Sequence, residues 1–426
     1  MTAPGRNPPE SGPPRRVAVV GGGAAGSMAA IFAADAGADT LLMERTRDGG
    51  RKILISGGGR CNILPARVDE SRFVTDSSPG TLRKILRSWP LREQIAFFET
   101  ELGLQLVEEV ETAKLFPHTQ RARDVRDGLL AVARRRGARI MMDTTVTDIE
   151  PVGHTWRIHR AGTSALEADA VVIATGGLSV PRTGSDGTGL RIVERLGHTI
   201  RPTYAALTPV KDLAASFAGL SGISLPVSIS ARDGYLSARA SGGFLFTHRG
   251  YSGPSVLDVS HVIVRAGEAG RPASLRVQWA PPGPDEWDER LRADGARTAG
   301  SVLRRELPDR LALALLEYSG IDPAQPLAQM RREDRLALIR TLTAGELPWT
   351  GDEGYQKAEV TGGGVSLGEV QPRTLESRYH PGLFLCGEIL DAFGPIGGYN
   401  FLWAWATGRA AGIGAAGGNK SAIHGA

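Results

Sequence analysis

The stretch that most limits this chain lies near its beginning, where an apolar, strand-like run from Arg16 to Val20 meets Gly21-Gly22-Gly23-Ala24-Ala25-Gly26. Helix-forming residues follow from Ala25 to Ala36, then a second apolar run, Asp39 to Met43, closed by Glu44. Strand, G-x-G-x-x-G, helix, strand and acid in that order form a dinucleotide-binding βαβ unit. Gly21 permits the tight turn, Gly23 lets backbone N–H groups approach a diphosphate, and Gly26 lets the helix sit close to the strand. The bare helix start adds the positive end of its dipole. Glu44 is placed to accept hydrogen bonds from a ribose, and its charge disfavours a 2′-phosphate, so the spacing predicts FAD or NAD over NADP. Gly22, Ala25 and Arg45 flank these contacts and are candidates with them.

Further glycine turns read as parts of one site. Arg51-Lys52-Ile53-Leu54-Ile55 leads into Ser56-Gly57-Gly58-Gly59-Arg60-Cys61-Asn62, where consecutive glycines expose N–H groups without side-chain bulk. A flexible linker needs no such polar residues, which makes Lys52, Ser56, Gly58, Gly59, Arg60, Cys61 and Asn62 candidate contacts of a diphosphate or a flat ring. Thr175-Gly176-Gly177 closes a buried strand, Asp169 to Ala174, and again brings bare backbone toward the dinucleotide; Val146, at the start of an earlier strand, joins the set. Near the other end, Leu383 to Cys386 is strand-like and is followed by Gly387, Glu388 and Asp391. Gly397-Gly398 then opens an apolar helix with Tyr399 and Asn400 in its first turn. A helix start beside a flavin ring would stabilise the anionic reduced form.

The order of these signals describes an α/β chain with an interruption. Residues 1–14 are rich in Pro and read as a disordered tail. Segments 15–200 and 346–426 read as one dinucleotide-binding α/β domain in two pieces. Between them, 201–345 reads as an inserted module of a small barrel or sandwich plus helices, with Leu311, Leu315 and Leu316 on one helical face and Leu336, Ile339 and Leu342 on another. The 50 Lys and Arg against 46 Asp and Glu give a net charge of +4, an Arg-rich surface rather than a strongly basic field. Cys61 and Cys386 are the two cysteines and form no C-x-x-C, so neither a redox dithiol nor a metal site is expected. Arg15-Arg16 resembles an export signal, but the following apolar run is broken by Gly21-Gly22-Gly23. No run is long enough to span a bilayer, and the expected location is cytoplasmic with no membrane partner. No oligomeric state follows from the sequence.

Together, the motifs Ile55-Ser56-Gly57-Gly58-Gly59-Arg60-Cys61-Asn62, Leu245 to Pro254, Val360 to Val365 and Cys386-Gly387-Glu388 through Gly397-Gly398-Tyr399-Asn400 resemble one family. It comprises flavoproteins that include the BaiN and RdsA (YhiN) proteins and the aminoacetone-oxidase-like enzymes. The resemblance covers nearly the whole chain after residue 15. It implies that the two-piece domain is a doubly wound, Rossmann-like FAD-binding domain and that the inserted module is a β-barrel and helical subdomain. It also implies FAD contacts at Gly21, Gly23, Gly26, Glu44, Gly58, Gly59, Gly387, Gly398 and Asn400, with NAD(P)H as a candidate electron donor. The chain departs from the family pattern at Ile63-Leu64-Pro65 and at Ala392-Phe393-Gly394, both expected near a substrate.

Candidate catalytic residues are Arg60, which could hold an anionic or carbonyl group or the FAD diphosphate, His248 as a proton donor in the Thr247-His248-Arg249-Gly250 loop, and Lys52. A structural role for His248 is an equal alternative. The favoured function is a FAD-dependent oxidoreductase of a small molecule, reducing an activated C=C bond with NAD(P)H or oxidising an amine with oxygen. The alternatives are an RNA-modifying enzyme that reduces uridine, with Arg83, Lys84, Arg87, Arg121, Arg123 and Arg126 as a basic face, and a non-catalytic flavin-binding scaffold.

Overall fold

The computed structural model describes residues 13–214, 216–292 and 297–417. Residues 1–12 of the expected tail lie outside the described residues. The chain divides into two compact units, one made of residues up to Thr203 together with Gly363 onward, the other of Tyr204–Gly362.

The first unit is built on a parallel sheet of β1 (Arg16–Val20), β2 (Asp39–Met43), β3 (Arg139–Met141), β4 (Ala170–Ile173) and β5 (Leu383–Leu385), in the order β5-β4-β1-β2-β3. That order places the switch of winding direction between β1 and β4, the arrangement of a doubly wound dinucleotide-binding fold. Apolar runs without alternation form these strands because both faces are covered. Helices α1 (Ala24–Asp35), α2 (Ala122–Arg135) and α3 (Tyr399–Ala415) are the main helical cover, with α1 packed against both others, and a three-stranded antiparallel meander over residues 146–168 packs on β1 and β4.

Neither α1 nor α3 is amphipathic in sequence. Both are nearly buried all round, and small residues are what lets them touch. A Cβ added at Gly408 would stand 2.3 Å from the Ala25 carbonyl oxygen, and one added at Gly412 would stand 2.3 Å from that of Ala29. The two backbones are therefore closer than any larger residue would allow.

The second unit has its own core. Seven antiparallel strands form one sheet, with Ser224–Arg232, Ser237–Thr247 and Ser274–Gln278 at its centre, and helix Pro254–Glu268 packs on it. Trp279 stacks on Phe246 at 5.6 Å and an interplanar angle of 16°, with Phe244 edge-on to both. This unit runs to Gly362 where the sequence predicts an end at 345. The reason is register: Gly351–Asp352 pairs with Val210–Lys211 at one edge and Gly345–Glu346 with Arg276–Val277 at the other, so residues after 345 complete the sheet. Leu311, Leu315 and Leu316 are buried as expected, but Leu336 is exposed and Leu338 takes its place in the core beside Ile339 and Leu342. No helix among the described residues is long and apolar enough to cross a membrane.

Replacing Gly412 with Ala is expected to destabilise the protein by about 1–2 kcal/mol, because overpacking against Ala29 outweighs the roughly 1 kcal/mol gained in helix propensity. The check is a urea unfolding curve, whose midpoint falls while its slope holds.

Candidate cofactor site

The site forms at the carboxyl ends of β1, β2, β4 and β5. Gly21, at φ +104°, turns the chain so tightly that an added Cβ would lie 2.6 Å from the Ala174 carbonyl oxygen. At Gly26 it would lie 1.8 Å from the Gly21 carbonyl oxygen, so this glycine serves helix–turn packing. Gly23 is different. It begins α1 with no side-chain cap, and an added Cβ meets nothing within 4 Å. The first N–H groups of a helix lack intrahelical acceptors, so the turn offers donors, positive potential and room together. These are the properties a dinucleotide diphosphate requires, and the residues present fit one.

Glu44 is buried and already fixed. One carboxylate oxygen accepts from Gly22 N at 2.7 Å and the other from Thr46 N and Thr46 Oγ1, both at 2.7 Å. A carboxylate offers about four acceptor sites, which leaves capacity for a ribose hydroxyl. Arg45 turns away to Asp186 at 2.6 Å. Burial alone would raise the Asp186 carboxyl, but Arg45 and Thr188 overcome this and lower it to about 2. Beneath the turn, Gly50 N donates to Gly22 O at 3.0 Å, and the Asp48 and Gly49 carbonyls accept from the Arg126 guanidinium at 2.7 and 3.2 Å.

Arg126 therefore belongs to the scaffold of the dinucleotide turn and is buried, not part of an exposed RNA-binding face. Of the other basic residues considered for that face, Arg87 pairs with Glu70 and Arg121 with Asp124.

The glycine loop before Asn62 adopts left-handed backbone at Gly57, Gly58 and Gly59, with open space around a Cβ at Gly58 and only Leu54 O, at 3.9 Å, near one at Gly59. Ser56 donates to Ile53 O at 2.8 Å. Arg60 leaves the loop for the neighbouring hairpin: its guanidinium pairs with Glu109 at 3.1 Å and lies 4.2 Å from the Phe116 ring centroid. Cys61 is buried, and burial pushes its thiol up to about 12; the Cys386 thiol is raised for the same reason. Neither is a thiolate at neutral pH. Asn62, with its amide oriented to suit its neighbours, accepts from Gly398 N at 3.0 Å and donates to Leu64 O at 3.1 Å.

The residues around the start of α3 have protein partners of their own. Gly398 is a glycine because a Cβ there would lie 2.5 Å from the Leu64 carbonyl carbon, a backbone crossing rather than an approach to a ring. Tyr399 is buried against Phe73, its hydroxyl donating to Arg67 O at 3.2 Å. Asn400 closes its own loop, accepting from Gly394 N and donating to Gly394 O, both at 2.9 Å. Asp391 is buried, which raises its carboxyl, and its oxygens are taken by Ser77 at 2.7 Å and Thr75 at 3.2 Å. These side chains hold the loop together. Ile63, Leu64, Ala392 and Phe393, where the chain departs from the family pattern, are all core residues. Gly397 keeps φ +117° and lies near the Lys114 side chain.

Directly after β4, the Thr175 Cα lies 3.2 Å from where a Cβ on Gly21 would stand, so this turn borders the dinucleotide turn. Thr175 points its hydroxyl at Gly189 and Gly176 turns against Ser185, with Gly177 O accepting from Gly187 N at 3.1 Å. Val146 lines an open cavity of about 390 Å³ with Asp148, Thr188 and Arg195. His248 is an exposed residue of the turn joining Ser237–Thr247 to Gly250–Ser252, in the second unit.

Gly387, by contrast, reaches the heart of the site. Its added Cβ would stand 2.7 Å from the Ala25 side chain, in the first turn of α1. Its N–H donates to Thr407 Oγ1 at 3.0 Å and its carbonyl accepts from Trp403 Nε1 at 3.1 Å. Glu388, the next residue, pairs with Lys52 at 2.6 Å, and Ser179 bridges them. Sequence reasoning missed Ser179, Thr407 and the scaffold role of Arg126, since nothing in local spacing marks them.

Gly23→Ala is expected to cost about 1 kcal/mol of unfolding free energy, the loss of a favourable N-cap at an otherwise open site, while depleting bound dinucleotide. Gly26→Ala is expected to fail in both respects. The check is the ratio of cofactor absorbance to protein in each purified variant, alongside thermal unfolding.

Comparison with known proteins agrees with this geometry. The 3-dehydro-bile acid delta(4,6)-reductase of Clostridium scindens is 32% identical over 409 residues, spanning 94% of this chain and 99% of that protein. The ribosomal RNA dihydrouridine synthase of Escherichia coli is 32% identical over 406 residues, spanning 91% and 95%. The solved 3-ketosteroid delta1-dehydrogenase of Sterolibacterium denitrificans, at 13% identity and a TM-score of 0.52 over 95% of this chain and 99% of that one, shares the fold. The family described as HI0933-like protein Rossmann domain matches residues 15–414, and the chain belongs to that family of flavoprotein oxidoreductases.

Proposed function

We propose that this protein uses FAD and NAD(P)H to reduce a carbon–carbon double bond conjugated to a carbonyl group in a small molecule. The observation that carries the cofactor is the uncapped, unobstructed start of α1 at Gly23, with Gly387 in contact with its first turn. The reaction class is supported by the relatives. One is named as a reductase of bile-acid double bonds and the other as a synthase of dihydrouridine, which is uridine with its ring double bond saturated. Different substrates share one chemical change.

FAD, when bound, supplies the two-electron carrier. The chain's own part begins with the N–H groups of the α1 start, which would hold the diphosphate, and with Glu44, which would orient the ribose. Buried Cys61 and Cys386, both protonated, supply no redox thiol. Arg60 keeps its pairing with Glu109 and stacking on Phe116, on the rim of the glycine loop, where a bound carbonyl or carboxylate could exchange with Glu109. The small-molecule reading is preferred because, of the basic residues considered for RNA, Arg126 is buried and Arg87 and Arg121 are paired with carboxylates.

The purified protein should show a flavin spectrum. NADH or NADPH added without oxygen should bleach it, and a small enone should then restore it. Restoration by uridine-containing RNA alone would transfer the substrate to RNA. Failure of both nicotinamides to bleach the flavin would sink the reductase reading in favour of an oxidase.

A further inference from the structure

A charged cluster joins three separate parts of the first unit. Lys52 Nζ donates to Ser179 Oγ and to Glu388 Oε2, each at 2.6 Å, across 127 and 336 positions of sequence. Ser179 Oγ donates to Glu388 Oε1, also at 2.6 Å. Lys52 lies in helix Arg51–Ile55 after β2, Ser179 follows β4 and Glu388 follows β5, so the cluster ties together the carboxyl ends of three parallel strands. Ser179 is fully buried, and the Lys52 and Glu388 side chains keep 26% and 18% of their exposure.

An ion pair this far out of water adds little to folding, because desolvation offsets most of the attraction. Its position suggests another purpose. Glu388 follows Gly387, which touches Ala25 in the first turn of α1. Glu388 is thus one residue along the chain from the contact with the helix start that would hold a dianionic diphosphate, and two like charges in a partly desolvated site repel by more than they would in water. We propose that Lys52 is a positioning residue for the dinucleotide: its ammonium neutralises Glu388, while Ser179 fixes the second carboxylate oxygen, so that the diphosphate meets a neutral pair instead of an anion. The proposal rests on the FAD reading above and concerns affinity, not turnover.

The test is FAD titration of apoprotein, with the melting temperature of each apoprotein recorded alongside. Lys52→Met should weaken FAD binding by about tenfold or more, the repulsion being uncompensated. Glu388→Gln should bind at least as tightly as wild type, and adding it to Lys52→Met should restore affinity to within about threefold of wild type. Lys52→Met binding as well as wild type would overturn the proposal. So would a double variant as weak as Lys52→Met, which would mean that Lys52 touches the cofactor directly. A merely structural pair would lower melting temperature and affinity in parallel, with no rescue by Glu388→Gln. If Lys52→Met does not fold, Glu388→Gln alone decides, since weakened binding there makes Glu388 itself a ligand. Wild-type apoprotein that takes up no FAD would instead remove the FAD reading on which the proposal stands.

Discussion

The close contact between α1 and α3 is the constraint on which the first unit depends. Gly408 and Gly412 admit the Ala25 and Ala29 backbone, and no side chain larger than hydrogen fits at either position without a shift. Through that contact, a helix near the end of the chain becomes part of the packing around the first βαβ unit. Its Thr407 and Trp403 then hold both polar groups of Gly387 and keep that residue against the first turn of α1. Helix α3 thus shapes the first unit through what it packs against.

The C-terminal glycine motif therefore has a different physical meaning from the N-terminal one. At Gly23 an absent side chain leaves open space before the first turn of α1. At Gly398 it removes a collision with Leu64 and Pro65, which is a folding feature. The polar residues that follow, Tyr399 and Asn400, are spent on their own loop. Chemistry at the strand ends concentrates instead on Lys52, Ser179 and Glu388, with Arg126 and Glu44 bracing the turn from below and from the side.

Much of this was legible in the chain. Alternation-free apolar runs marked the parallel strands because both faces are covered, and the glycine spacing marked the turn because its geometry is local. Less legible were features whose cause is distant in sequence. Leu336 satisfies helical spacing but faces out, since the neighbouring strand and helix, not the period, select which face is covered. Arg126 was a candidate for a basic RNA-binding face, yet the two carbonyls at Asp48 and Gly49 accept from it. Asp391 looked like a ligand because it sits in a polar loop, and it is instead satisfied by Thr75 and Ser77.

By itself, the sequence determined the βαβ unit, the interrupted two-segment domain and the cofactor class, because each follows from short-range spacing and backbone sterics. Tertiary structure alone decided which glycines face open space and which make room for the protein. It also decided that Lys52 and Glu388, 336 residues apart, form one ion pair. Both questions turn on what lies across a gap of a few ångströms, and only the packed strands and helices bring those groups together.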